Sequence, residues 1–401
     1  MNLPPPISMQ DAQSRLLALA QPLEAETVAI ENAAGRFLAS DIIARRTQPP
    51  ADLSAMDGFA VGDNDPSGSW RVVGESAAGH PFEGTFGKGD AVRISTGALM
   101  PEGASAVLLQ EDAQLDGNDL RVASDATASP RHIRHQGFDF TAGDALLRTG
   151  TRMDAARCAL AIAGGQVTVD VGRKARLSVI DSGDELVADA ATARDHQIPA
   201  SNGAMLGIMA SPFCESSHRI GPVPDRREKL VKSFDDASTA DVIIISGGAS
   251  VGDHDLVRPA LEQWGAKLDF WRVAMKPGKP LLVARKGTKI ILGLPGNPVS
   301  SYVTAFFFLL PLLRHLAGSY DPMPQSLALS LAADLPANGS RTEFIRGVMC
   351  PEGAQPLLQR DSSALRTLAA ADCFIERGGN APPARTGDPV TVYPLQNGGI
   401  A

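Results

Sequence analysis

Cysteine is scarce in this sequence, and the four present (Cys158, Cys214, Cys350 and Cys373) form no C-x-x-C pair and no Cys/His ligand spacing. That pattern excludes a disulfide framework and a cysteine zinc site, and fits free or buried thiols in a reducing compartment. Positive charge is also short: 37 Lys and Arg against 45 Asp and Glu leave a formal net charge of −8. A nucleic-acid binder needs a basic face, so that class is set aside, whereas an anionic small molecule needs only local cations. No apolar run reaches the roughly 20 residues of a membrane span. The one suspect, residues 302–313 with Phe306, Phe307 and Phe308, is interrupted by Pro311 and reads as a buried core helix. The opening MNLPPP has neither the basic residues nor the apolar core of a signal peptide, so a cytoplasmic protein is expected. Internal repeats and low-complexity tracts are missing too. What remains, 44% hydrophobic and 20% charged, is a globular chain, long enough for roughly two to four domains.

The stretch DVIIISGGASVGDHD (241–255) carries the most information. Val242, Ile243, Ile244 and Ile245 form a β-branched run suited to a central parallel strand buried on both faces. The chain then breaks into Ser246, Gly247, Gly248, Ala249, Ser250, Val251 and Gly252, followed by Asp253, His254 and Asp255. Glycines at a strand's carboxyl end let backbone N–H groups approach a ligand, and in open α/β sheets ligands bind at that edge. With acids beside it, such a cradle suits a phosphate held next to a divalent cation. The plainer alternative is a tight strand-to-helix turn whose aspartates cap the next helix, with His254 a solvent-exposed loop residue.

The following residues favour the site. KPGKP (276–280) supplies Lys276 and Lys279, and an apolar strand around residue 290 ends in GLPGNP, with Pro295, Gly296 and Asn297. Asn297 is placed to N-cap a helix whose first residue is Pro298, and a helix N-terminus favours an anion. Another apolar strand near residue 177 delivers Asp181, Ser182, Gly183, Asp184 and Glu185 at its end. Strands near 177, 242 and 290 with helices between them predict a parallel, doubly wound sheet. Short strands with Gly, Asp and Ser breaks from Asp57 to Val122 predict a small β domain, and β texture returns from Ser326 to the end as a small C-terminal β-barrel. Asp57-Gly58 alone reads as a hairpin turn, Thr96 either binds a ligand or stabilises its own turn, and Arg131, His132, Arg134 and His135 read as solvated surface.

In order, SAMDGFA (54–60), ISTGALMPEGASAV (94–107), SGDELV (182–187), SGGASVGDHD (246–255), KPGKP (276–280) and GLPGNPVS (293–300) resemble the molybdopterin molybdenumtransferase family, bacterial MoeA and the gephyrin E domain. The resemblance covers essentially the whole chain. It implies a multidomain α/β plus β fold: residues 1–46 with 141–173 as an elongated linker and dimerisation region, 47–140 as an inserted β domain, 174–318 as the doubly wound molybdopterin-binding domain, and 319–401 as the C-terminal barrel. It implies Mg²⁺-dependent insertion of molybdate into adenylylated molybdopterin with release of AMP. A homodimer whose site is shared between subunits is implied too, with the upstream molybdopterin adenylyltransferase as a candidate partner enzyme. By resemblance, Glu185, Asp225 and Asp255 are the functional acids around metal and phosphate, and Lys276 and Lys279 grip phosphate or molybdate. Substrate contacts fall to Asp57, Thr96, Ser246, Gly247, Gly248, Ser250, Pro295, Gly296 and Asn297, and more loosely to Arg341, Arg346 and Ser362. The chain departs from the family at Asp181, where serine is usual, at Arg366-Thr367 in place of a serine pair, and at Asp372 in place of asparagine.

Two other readings compete. One is adenylylation of molybdopterin, performed by a related stand-alone α/β domain that needs no flanking β domains. The other is an assembly scaffold, in which substitution of Asp255 or Lys276 would be harmless.

Overall fold

The computed structural model describes residues 5–62, 68–123, 125–247 and 256–395. Gly248, Ser250 and Asp255 therefore lie outside the described residues. At the centre is a six-stranded sheet in the order Cys214–Val223, Ala175–Ser182, Val242–Ser246, Lys289–Leu294, Leu282–Lys286, Lys267–Trp271. The first four strands are parallel. The expected parallel sheet is thus extended by two antiparallel strands at one edge. The hairpin 282–294 is tight enough to make its strands antiparallel, because a parallel return needs a long crossover. Val242, Ile243, Ile244 and Ile245 are fully buried, as a central strand covered on both faces requires.

One face of the sheet is covered by the apolar helical stretch Pro298–Leu316, nearly nine-tenths of it buried, which makes it a core helix. It carries a π-turn at Ala305–Leu309. Pro311 has no N–H to give the carbonyl of Phe307 four residues back, and a widened turn relieves the clash. That carbonyl instead accepts from Gln13 Nε2 at 3.0 Å, so the N-terminal helix Met9–Leu19 is tied to the core. Ser8 caps that helix through Asp11 N–H, as the sequence predicts.

The C-terminal domain docks on the same helix through aromatic rings: Phe307 lies 4.1 Å from Phe344 and 5.0 Å from Tyr393, and Phe306 lies 5.6 Å from Phe374. Its sheet runs Met275–Lys276, Thr342–Cys350, Cys373–Arg377, Pro389–Pro394, Leu327–Ser330, with Gly353–Pro356 paired to Thr342–Cys350. A single parallel bridge between Leu331 and Ala354 brings the far edge back, in place of a full closing ladder. A Cβ on Gly353 would lie 2.0 Å from Ser330 O, so this close approach needs glycine. The strand Met275–Lys276, directly ahead of the KPGKP turn, pairs with Thr342 and Glu343 of this domain.

Residues Ala25–Ala29 and Thr168–Gly172 pair antiparallel in the connecting region, around a small core of Ile30, Leu38, Ile42, Met153 and Val169. A separate six-stranded sheet, from Gly58–Val61 to Asp119–Val122 in the chain, packs on Phe59, Val61, Trp70, Leu108 and Leu120.

Candidate functional site

Three parallel strands end side by side, with Asp181 in register with Ser246 and Ser246 with Leu294. Their following loops therefore meet at one edge. Gly247 has φ +96°, and a Cβ there would lie 2.1 Å from Ser182 O, so only glycine lets these two loops touch. The loops open into a cavity of about 740 Å³ lined by Ser182, Glu185, Asn202, Ser246, Gly247 and Asn297, among others. Leu186, Ile198, Pro199, Pro295 and Leu365 give it an apolar wall.

Of the acids expected here, Glu185 lines the cavity, whereas Asp225 lines neither cavity and stands behind the lining residue Ser182. Asp225 accepts from Ser182 Oγ at 3.0 Å, and its own N–H donates to Asp184 Oδ1 at 3.1 Å. Glu185 lines the cavity, folded over Gly183 so closely that a Cβ there would lie 2.5 Å from its carboxylate. Among the described residues no group of three or more His, Cys, Asp or Glu is gathered to hold a metal. Glu185, in the cavity lining, and Asp225, hydrogen-bonded to the lining residue Ser182, are nevertheless a pair of oxygen donors. Such a pair fits Mg²⁺, which takes one or two protein carboxylates and completes its shell with substrate and water.

The unexpected charge at Asp181 has a structural answer. Its carboxylate is 3% exposed, accepts from Arg219 Nη2 at 3.0 Å, and accepts from Gly203 N–H at 2.9 Å in the first turn of the helix Asn202–Ala210. Burial pushes its pKa up, against the opposing pull of Arg219. Asp181 is therefore a helix cap and ion-pair partner, holding the helix start beside the cavity.

A second arm of about 350 Å³ lies between the α/β and C-terminal domains, lined by Lys276, Lys279, Ser300, Arg341, Arg346 and Ser362, among others. Pro280 lines both arms, and the neighbours Ser362 and Ser363 line one each. Lys276 reaches Glu343 at 2.9 Å, with Lys276 53% exposed and Glu343 only 9%. Arg346 is buried. It donates to the carbonyls of Ala364 at 3.2 Å, Gln359 at 2.7 Å and Asp361 at 3.0 Å, so much of its guanidinium shapes the loop that carries Ser362. Burial lowers its pKa. Arg341 Nη1 donates to Met275 O at 3.4 Å.

Asn297 does sit ahead of a helix that begins at Pro298, but it makes no side-chain cap. Its Nδ2 donates to Ser362 Oγ, and Val299 N–H donates to Ser362 O at 3.1 Å. Pro298 has no N–H, so this helix start offers an anion fewer free donors than the sequence suggests. Asp57 and Thr96 line neither arm. Thr96 donates to Asp57 Oδ1 through its N–H at 2.6 Å and its hydroxyl at 2.9 Å, holding that carboxyl below its usual pKa.

Sequence reasoning missed Asn202 as a site residue. Its Nδ2 donates to Ser246 Oγ at 2.9 Å and to Gly296 O at 2.8 Å, joining two of the loops. Its position at the start of a helix following a strand end was the one available signal. Ile198 and Leu365, in the apolar wall, had none.

Residues 7–165 match the MoeA N-terminal region (domain I and II), residues 178–315 a probable molybdopterin binding domain, and residues 328–395 the MoeA C-terminal region (domain IV). The chain is 32% identical to a molybdopterin molybdenumtransferase of Haemophilus influenzae, over 98% of this chain and 99% of that one. It is also 32% identical to one from Bacillus subtilis, over 96% and 94%. A crystal structure of a molybdopterin biosynthesis MoeA protein from Pyrococcus horikoshii superposes with a TM-score of 0.84 at 25% identity, covering 97% of this chain and 99% of that one.

Proposed function

Because the chain belongs to the molybdopterin molybdenumtransferase family, enzymes of molybdenum cofactor biosynthesis, we propose that it inserts molybdate into adenylylated molybdopterin, releasing AMP, with Mg²⁺ as cofactor. The observation that supports this reading is the adjacency of the two cavities: a glycine-loop cavity with carboxylates and a cavity with lysines and arginines share Pro280 in their walls.

Both substrates are anionic, and each arm suits one part of the reaction. Glu185 and Asp225, with Asp255 from outside the described residues, would hold Mg²⁺. The ion would neutralise charge on the phosphoanhydride as AMP leaves. The main-chain turn at Gly247 and the hydroxyl of Ser246 would position the phosphate. The apolar wall at Ile198 and Leu365 suits a flat heterocycle, because apolar surface covers ring faces while a few polar groups fix orientation. Lys276 and Lys279 would hold molybdate beside it. The cationic arm depends on the C-terminal domain for Arg341, Arg346 and Ser362, which argues against the stand-alone adenylylation chemistry.

Asp57 and Thr96 enter through assembly. They line neither arm in their own chain, so we assign them to the partner's cleft in a homodimer. The direct test is to incubate the protein with adenylylated molybdopterin, Mg²⁺ and molybdate, and to follow AMP and bound molybdenum. Molybdate-dependent AMP release supports the reading; ATP consumption with adenylylation of molybdopterin would replace it.

A further inference from the structure

Asn202 stands where the two glycine loops meet, and its amide orientation is determined by its partners. Gly296 O can only accept, so the group facing it at 2.8 Å is the NH₂ and not the carbonyl. The same nitrogen lies 2.9 Å from Ser246 Oγ. With one hydrogen on each partner, the amide cannot flip without placing two carbonyl oxygens against each other. Ser246 is thereby made an acceptor from Asn202. Its hydroxyl hydrogen has no acceptor among the described residues, and the side chain lines the glycine-loop arm. The helix bearing Asn202 is held in turn by Asp181, which accepts from Gly203 N–H.

We propose that Asn202 is a positioning residue that turns the Ser246 hydroxyl into a hydrogen-bond donor aimed at a phosphate oxygen of the substrate, while fixing the spacing of the two loops. The inference rests on the functional reading above and deepens it, since the anion is the phosphate of an adenylylated substrate or of the AMP product. A hydroxyl left to rotate would share its hydrogen among several acceptors. A hydroxyl already accepting from an amide presents its hydrogen at no reorientation cost when the anion arrives.

Aspartate at this position tests the donor role, because it keeps the shape but cannot donate. It would accept the Ser246 hydrogen, turning the hydroxyl away, and would add a negative charge. The experiment measures AMP and adenosine binding by calorimetry for wild type, Asn202→Asp and Asn202→Ala, with thermal melts to verify folding. AMP affinity should fall about 10- to 100-fold in Asn202→Asp, the scale of a hydrogen bond to a charged group. It should fall less in Asn202→Ala, while adenosine affinity stays unchanged in both. In a Ser246→Ala background the Asn202→Ala substitution should lose most of its effect, a coupling that a merely structural role would not show. Wild-type AMP affinity in folded Asn202→Asp, or an undiminished Asn202→Ala loss without the Ser246 hydroxyl, overturns the inference and leaves the functional reading standing. If wild-type protein neither binds AMP nor releases it, both fall together.

Discussion

Asn297 Nδ2 donates to Ser362 Oγ at 2.9 Å, joining the loop after a central strand to a loop of the C-terminal domain. The bond spans the junction of the two cleft arms, while the domains themselves are held by rings packed around Phe307. Geometry and stability are therefore separable here. Asn297→Ala should lower kcat/KM about 3- to 10-fold, the worth of one modest hydrogen bond, with little change in melting temperature. Phe307→Ala should instead cost about 3–5 kcal/mol of stability by opening a cavity in the buried wedge. Steady-state kinetics and denaturant unfolding of both variants check the division.

Lys276 and Lys279 have similar places in the sequence but different surroundings, since Lys276 pairs with the nearly buried Glu343. Removing Lys276 takes a cation from the cleft and also leaves a carboxylate uncompensated. Lys276→Ala should therefore raise the KM for molybdate more than Lys279→Ala, and should also lower the melting temperature. Glu343→Gln added to Lys276→Ala should restore most of the stability and little of the molybdate affinity. If stability fails to return in the double variant, the ion pair is not the cause.

Much of this arrangement is legible in the sequence, because its signals are local. A β-branched run at 242–245 can be read as a buried strand, and the glycines after it mark a loop that side chains would block. The edge strand Cys214–Val223 escapes notice because most of its side chains are exposed and polar, leaving no alternation to read. Asp181 reads as a stray charge because Arg219, which compensates it, lies 38 residues away. Gln13 gives no hint that it will serve the Phe307 carbonyl vacated by Pro311, a tie across 294 residues. Such partnerships depend on tertiary placement, which spacing within one segment does not encode.

Asp241 provides a pH test away from the cleft. Its side chain is 14% exposed, and burial alone would raise its pKa. Hydrogen bonds from Arg173 and Arg176 overcome that and hold it well below the usual carboxylate range. A depressed native pKa stabilises the fold fully above the unfolded value of about 3.9, and the benefit is lost as pH falls toward the native value. Asp241→Asn should thus cost about 2 kcal/mol at neutral pH. The gap from wild type should be constant between pH 5 and pH 7 and should narrow below about pH 4. Urea unfolding across that range measures it, and a gap that widens in acid contradicts the assignment.

The proposed sharing of the site between subunits makes the most demanding prediction. Asp57 is held by Thr96 on the β domain and lines neither arm of the cleft in its own chain. If it serves the partner's cleft, Asp57→Ala and Asp255→Ala homodimers should each be nearly inactive. Unfolded and refolded as an equal mixture, about half of the dimers should be mixed by random pairing around a two-fold axis. Each mixed dimer places both defects in one cleft and leaves the other intact. Activity should then return to about a quarter of wild type, since a full dimer has two such clefts. Were both residues to act within one chain, every cleft in the mixture would carry a defect and no activity would return. Subunit exchange is verified with two differently tagged chains recovered together. Exchange without recovery would place Asp57 and Asp255 in the same subunit's site.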